Sequence, residues 1–122
     1  MNIELWIVQG LLAVFFLVAG SMKVMQPKEK LAENMEWVND FDPGIIKAIG
    51  ALEVLGALGL VLPKLTGILP ILTPLAAGGL ALTMVGAALT HLRRKEMPMV
   101  GMNAVLFLVA AFVAYGRFVI LP

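Results

Sequence analysis

The chain contains no cysteine and only one histidine, His91, in 122 residues. The first absence excludes disulfides, thiol relays and thiolate metal centres. It also excludes the thiol-disulfide membrane oxidoreductases, which have a similar size and helix count. The second excludes bis-histidine haem. His91 paired with one of the eight methionines stays formally open, although methionine in so apolar a chain is ordinary filler. No flavin or nicotinamide fingerprint is present, so no cofactor is evident beyond a bound quinone or lipid. Charge is scarce as well: the formal net charge is +1, which argues against nucleic acid as a partner.

Apolar residues take the place of all these. At 61% hydrophobic, the chain carries more apolar surface than a soluble domain of its size can bury. A membrane span needs about 20 mostly apolar residues. Four stretches qualify: Ile3–Met25, Gly44–Leu62, Thr66–Leu92 and Pro98–Leu121. The expected fold is therefore all-α, a polytopic four-helix transmembrane bundle forming a single domain over residues 1–122. The first span differs from a secretory signal, since it lacks a basic leader, carries Glu4 and is too long for an h-region. It reads as a retained helix.

Basic residues set the expected orientation. The side of the first and third connections holds Lys23, Lys28, Lys30, Lys47, Arg93, Arg94 and Lys95, against Lys64 and Arg117 on the other. This bias places both connections in the cytoplasm and both termini outside, with Arg117 as an end anchor. No eukaryotic targeting signal is evident, which fits a bacterial inner membrane. The one long polar connection, Gln26–Pro43, repeats Leu31, Met35, Val38 and Phe41 at helical spacing after Pro27. It reads as a short interfacial helix with Trp37 at headgroup depth, either lying passively on the bilayer or acting as a lid over a cavity. Asp42 is available to cap the second span.

Each span carries one small or polar stripe. These are Gln9, Ala13, Phe16, Gly20 and Lys23; Gly50, Glu53, Gly56 and Gly59; Gly79, Thr83, Gly86 and Thr90, with His91 just off the line; and Asn103, Phe107, Ala110 and Ala114. Glycine and threonine stripes are usually packing devices, and Lys23 taken alone would snorkel. Glu53 is different, because a carboxyl near the middle of a span costs about 2.5 to 3.5 kcal/mol on insertion scales and so faces a partner or a wet cavity. It lies about 13 Å in from Gly44 at 1.5 Å per residue, deeper than Lys23, His91 and Asn103. Together these groups outline a polar funnel. The candidate pocket residues are Glu53, Lys23, His91, Asn103 and Thr83; none is assigned as catalytic and none as a metal ligand.

In order along the chain come an Ala-Gly-x-x-Lys end to the first helix (Ala19, Gly20, Lys23), a short amphipathic connection and a Gly-x-x-Glu-x-x-Gly second helix (Gly50, Glu53, Gly56). A third helix follows, ending in His91 and a basic cluster to Lys95, and then Asn103. This order resembles the DoxX-like family of small four-helix membrane proteins over nearly the whole chain. The resemblance implies a four-helix bundle with Lys23, Glu53, His91 and Asn103 as a polar cluster. It also implies an association with membrane redox metabolism, including quinone and thiosulfate oxidation and quinone-stress responses. The family is functionally heterogeneous, so the resemblance supplies no reaction.

Three function classes follow. One is a protein that binds a small lipophilic ligand such as a quinone, as a redox-associated subunit with a redox partner protein as electron donor. Another is a small proton-coupled transporter or efflux protein using Glu53, which would need a homo-oligomer to enclose a pathway. The small multidrug exporters, of similar size, place their carboxyl in the first helix rather than the second. The third is a membrane assembly subunit whose polar cluster only fixes helix register. A subunit or binding protein fits this chain better than a self-sufficient enzyme, because no polar segment is long enough for a catalytic domain.

Overall fold

The computed structural model describes all of residues 1–122 and is almost wholly helical. Four long helices dominate: α1 (Asn2–Met25), α3 (Pro43–Thr66), α4 (Leu72–Arg93) and α5 (Met97–Tyr115). A single turn, α2 (Lys28–Leu31), and a 3-10 stretch (Glu36–Asp40) fill the first connection, and a π-helical turn (Gly116–Ile120) extends α5. Four segments of 22 to 24 residues are long and apolar enough to cross a membrane. Helices suit that setting because every backbone polar group in the span is paired within its own segment. Ile3, Leu11, Leu82 and Leu108 sit on the outer faces, each more than 60% exposed. In a membrane protein those faces meet lipid tails.

The helices follow one another around the bundle as α1, α3, α4, α5. The α1–α3 and α4–α5 pairs pack most extensively and the α3–α4 pair less so, while α1 and α5 meet only sparsely. The core is made of small and medium side chains, with Leu12, Phe16, Ala57, Leu60, Ala77, Leu80, Met84, Ala110 and Val113 all buried. Close approach of α1 and α3 depends on two facing glycines. A methyl group on Gly50 would come within 2.7 Å of the Gly20 carbonyl oxygen and of Lys23 Cβ, and one on Gly20 within 2.6 Å of the Gly50 carbonyl. Any side chain there would push the helices apart.

Several boundaries differ from those expected of the sequence. The second span extends to Thr66, so Pro63 lies in the last turn of α3 rather than ahead of the next helix, and Gly67 ends it in the left-handed conformation at φ 76°. The third span starts at Leu72, not Thr66. Pro70 therefore precedes α4 and Pro74 falls in its first turn, where a missing N–H costs no intrahelical bond. The first connection is not one helix, since a turn after Leu31 breaks it. Its apolar positions nonetheless point inward: Leu31, Val38 and Ile46 form a small buried cluster with Met22, Met35, Trp37 and Phe41 against it. Asp42 holds the N-cap position of α3 but its side chain caps nothing.

Candidate functional site

Lys23, Glu53, Thr83, His91 and Asn103 surround a cavity of about 560 Å³ on the side of the bundle that carries the first and third connections. Each long helix contributes: Phe15, Ala19 and Lys23 from α1, Ile49, Leu52 and Glu53 from α3, Thr83 to Arg93 from α4, and Met99 to Leu106 from α5. Met35, Trp37 and Phe41 of the first connection form its roof.

The floor is an ion pair. Lys23 Nζ donates to Glu53 Oε1 at 2.7 Å, with the two side chains only 10% and 4% exposed. The Gly20–Gly50 contact holds these two side chains together, since it brings α1 and α3 close just beside them. Lys23, taken alone, would have been expected to snorkel to the interface. A carboxylate one helix away holds it inside instead.

His91 occupies the other wall. Its position follows from the way α4 ends: Lys95 adopts φ 60°, its N–H bonds to Leu92 O at 3.0 Å and the Glu96 N–H returns to His91 O at 2.9 Å. This pair of bonds is the Schellman arrangement, here with a lysine where glycine is usual. The turn swings Glu96 back beside His91, whose Nδ1 lies 2.9 Å from Glu96 Oε1. Nothing in the residue spacing had singled out Glu96; a histidine five residues before an acid, across a helix-ending turn, is the signal that was there to read.

Asn103 is buried on α5, with its Nδ2 3.6 Å from Met84 Sδ and its Oδ1 without any partner in the chain. The third-helix stripe faces open space rather than a neighbouring helix: a methyl group on Gly79 or Gly86 would meet nothing within 4 Å. Thr83 and Thr90 give their hydroxyl protons to the carbonyls of Gly79 and Gly86, at 2.9 and 3.0 Å. The small residues of α4 make room, whereas those of α3 make contact.

The roof is fastened at its edge. Trp37 lies 5.9 Å from Lys23 Nζ, 6.5 Å from the His91 ring and 5.8 Å from the Phe41 ring. Arg94, just beyond α4, donates to Asp40 at 2.8 Å and to Glu36 at 3.4 Å. The hydrogen bond from Arg94 to Asp40 is the main influence holding the Arg94 guanidinium above its ordinary value. An upward shift means that its contribution is fully present at neutral pH and is lost only in strong alkali. Phe15 of α1 and Met99 and Met102 of α5 line the cavity while 40 to 50% exposed on the outer surface, on either side of the sparsely packed α1–α5 seam, and Leu52 of α3 lines it while 60% exposed.

This geometry agrees with a match between residues 7–113 and the model of the DoxX-like family, 107 residues that take in all four helices. The chain belongs to the DoxX-like family. No curated protein and no solved structure matches it. Within this family member, the residues that carry the sequence resemblance, Lys23, Glu53, His91 and Asn103, are also the polar groups around the cavity.

At the opposite end Arg117, expected as an end anchor, is tied into the bundle and only 2% exposed. Its Nε donates to Gln9 Oε1 at 2.6 Å and one terminal nitrogen to Asn2 Oδ1 at 2.8 Å, with the guanidinium 5.2 Å from the Trp6 ring. Gln9 in turn donates to Leu60 O at 2.6 Å. Gln9 had been placed on the polar stripe of α1, but its partner lies too far along the chain for spacing to reveal.

Proposed function

We propose that this DoxX-like membrane protein binds a small lipophilic molecule with a polar head, such as a quinone, in the cavity above Glu53, and serves as a redox-associated subunit. The observation that carries the reading is the convergence of Lys23, Glu53, Thr83, His91 and Asn103 on one cavity of about 560 Å³. That volume lies within the usual range for small-molecule sites, and so does the mixture of an apolar wall with a few convergent polar groups. The sparsely packed α1–α5 seam would admit such a molecule from the bilayer. Electrons would come from a partner protein, since the chain has no cysteine cluster or nucleotide fingerprint.

The membrane is a bacterial inner membrane in this reading, with the roof and the α4–α5 turn in the cytoplasm, as the distribution of lysine and arginine favours. Because the chain has no cysteine of its own, a Glu33→Cys variant tests this directly: the thiol should react with an impermeant maleimide only after the cells are opened.

Binding is tested with ubiquinone and menaquinone against wild type and Glu53→Gln in nanodiscs, following Trp37 fluorescence in a Trp6→Phe background. Saturable quenching in wild type that is weakened in a folded Glu53→Gln protein supports the ligand site. If neither quinone binds and the variant only melts earlier, the carboxyl is an assembly element and the proposal fails.

A further inference from the structure

The cavity holds several hydrogen-bond acceptors that no donor in the chain meets. Asn103 Oδ1 is buried and accepts nothing, and the amide has a reason to be oriented this way, because Met84 Sδ is an acceptor and so takes the NH₂ side. Glu53 uses only Oε1 toward Lys23, leaving Oε2 without a partner in the chain. Thr83 and Thr90 have already given their protons to backbone carbonyls, so their hydroxyls retain only lone pairs. The His91 Nδ1 side is taken by Glu96, so only Nε2 of that ring is left to face a ligand. The donors that remain are the other Lys23 protons, the second proton of Asn103 Nδ2 and the Trp37 indole N–H.

From these open acceptors we infer that the cavity selects a hydroxyl-bearing aromatic ring, a phenol or hydroquinone, over a ring of the same shape that offers only acceptors. A carbonyl oxygen can be met by Lys23 but leaves Asn103 unpaired, and an unpaired buried acceptor carries its full desolvation cost. A hydroxyl accepts from Lys23 and donates to an acceptor such as Asn103. The apolar lining suits an aromatic body: Phe15, Trp37 and Phe41 offer ring faces and edges, and Met84, Met99 and Met102 offer adaptable thioethers. A cationic amine would also donate, but with Lys23 matched by Glu53 the rim residue Arg93 leaves the lining formally positive, which disfavours further positive charge. The inference rests on the cavity being a ligand site, as proposed above.

The test compares para-nonylphenol with its methyl ether, para-nonylanisole, and with decylubiquinone as an acceptor-only ring, on the full chain in nanodiscs by Trp37 quenching. The ether partitions into lipid better than the phenol, so a phenol preference cannot come from partitioning. The expected result is binding of the phenol at least about tenfold tighter than the ether, as befits one buried acceptor satisfied or left bare. Asn103→Leu, with its melting temperature checked, should bring the two to within about threefold while still binding the ether. Equal binding of phenol and ether by wild type overturns the selection for a donor but leaves the ligand site standing. Absence of binding by all three probes overturns both. The wild-type comparison decides the matter even if Asn103→Leu does not fold.

Discussion

The two ends of the bundle bury polar groups of similar character with opposite results. At the termini end, Arg117, Gln9 and Asn2 interlock, and a methyl group on Gly116 would strike Leu5 at 2.7 Å, so α1 and α5 are drawn together with little space between them. At the connection end, Lys23 pairs with Glu53 across α1 and α3, no bond links α1 to α5, and about 560 Å³ stays open. Buried polarity by itself therefore marks neither a pocket nor a fastening. What decides is which helices the groups join: partners on α1 and α5 close the ring, whereas partners on α1 and α3 leave its last seam unsealed.

The largest expected effect comes from breaking the connection-end pair on one side only. Lys23→Met leaves Glu53 buried without its partner and should cost about 3 to 5 kcal/mol, with most of the loss recovered in Lys23→Met/Glu53→Leu. Denaturant unfolding in detergent measures both. A single variant no weaker than the double would show that the two residues do not act as a pair.

At the other end, Arg117→Met strands Gln9 Oε1 and Asn2 Oδ1 and should cost about 1 to 3 kcal/mol. Ligand binding at the cavity should be unaffected, and a matching loss of binding would undo the separation of the two ends. Glycines sharpen the contrast further. Gly50→Ala drives a methyl into the Gly20 carbonyl and should cost about 1 to 3 kcal/mol. Gly86→Ala, which meets nothing, should gain about 0.5 to 1 kcal/mol from helix propensity. Thermal melts of the two variants side by side would reveal whether α4's small residues make space rather than contact.

The smallest stability effect belongs to the roof. Arg94→Gln should leave the melting temperature essentially unchanged, because its partners are solvent-exposed. It should still speed hydrogen exchange across residues 33–41, which local opening reports and global unfolding does not. Unchanged exchange there would mean that the buried contacts of Leu31 and Val38, rather than Arg94, hold the roof down.

Much of this arrangement is legible in the residues, because in lipid the helix period alone gathers side chains onto faces. Glu53 between Gly50 and Gly56, Lys23 one turn past Gly20, and Asn103 on the inward face of the last span all follow from a period of 3.6. Helix ends are less legible. Pro63 looks like a stop but is tolerated in the final turn of α3, and the segment from Thr66 to Leu72 is apolar enough to pass for a span although it turns. Trp37 looks like an interfacial belt residue, yet the breaks around the 3-10 stretch tip it over the cavity. Arg117 is the clearest case, since its meaning depends on Gln9 at the opposite extreme of the chain. No local pattern carries such a pairing.

That long-range pairing also fixes an order of events during synthesis. A membrane protein emerges one span at a time, and α1 can join α3 through Gly20 and Gly50, and Gln9 can donate to Leu60, before α5 has been made. Only when Arg117 follows can the ring be locked. Until then Gln9 Oε1 lacks its donor, and an unpaired buried amide oxygen is costly. The last span is thus what completes the polar network that the first begins.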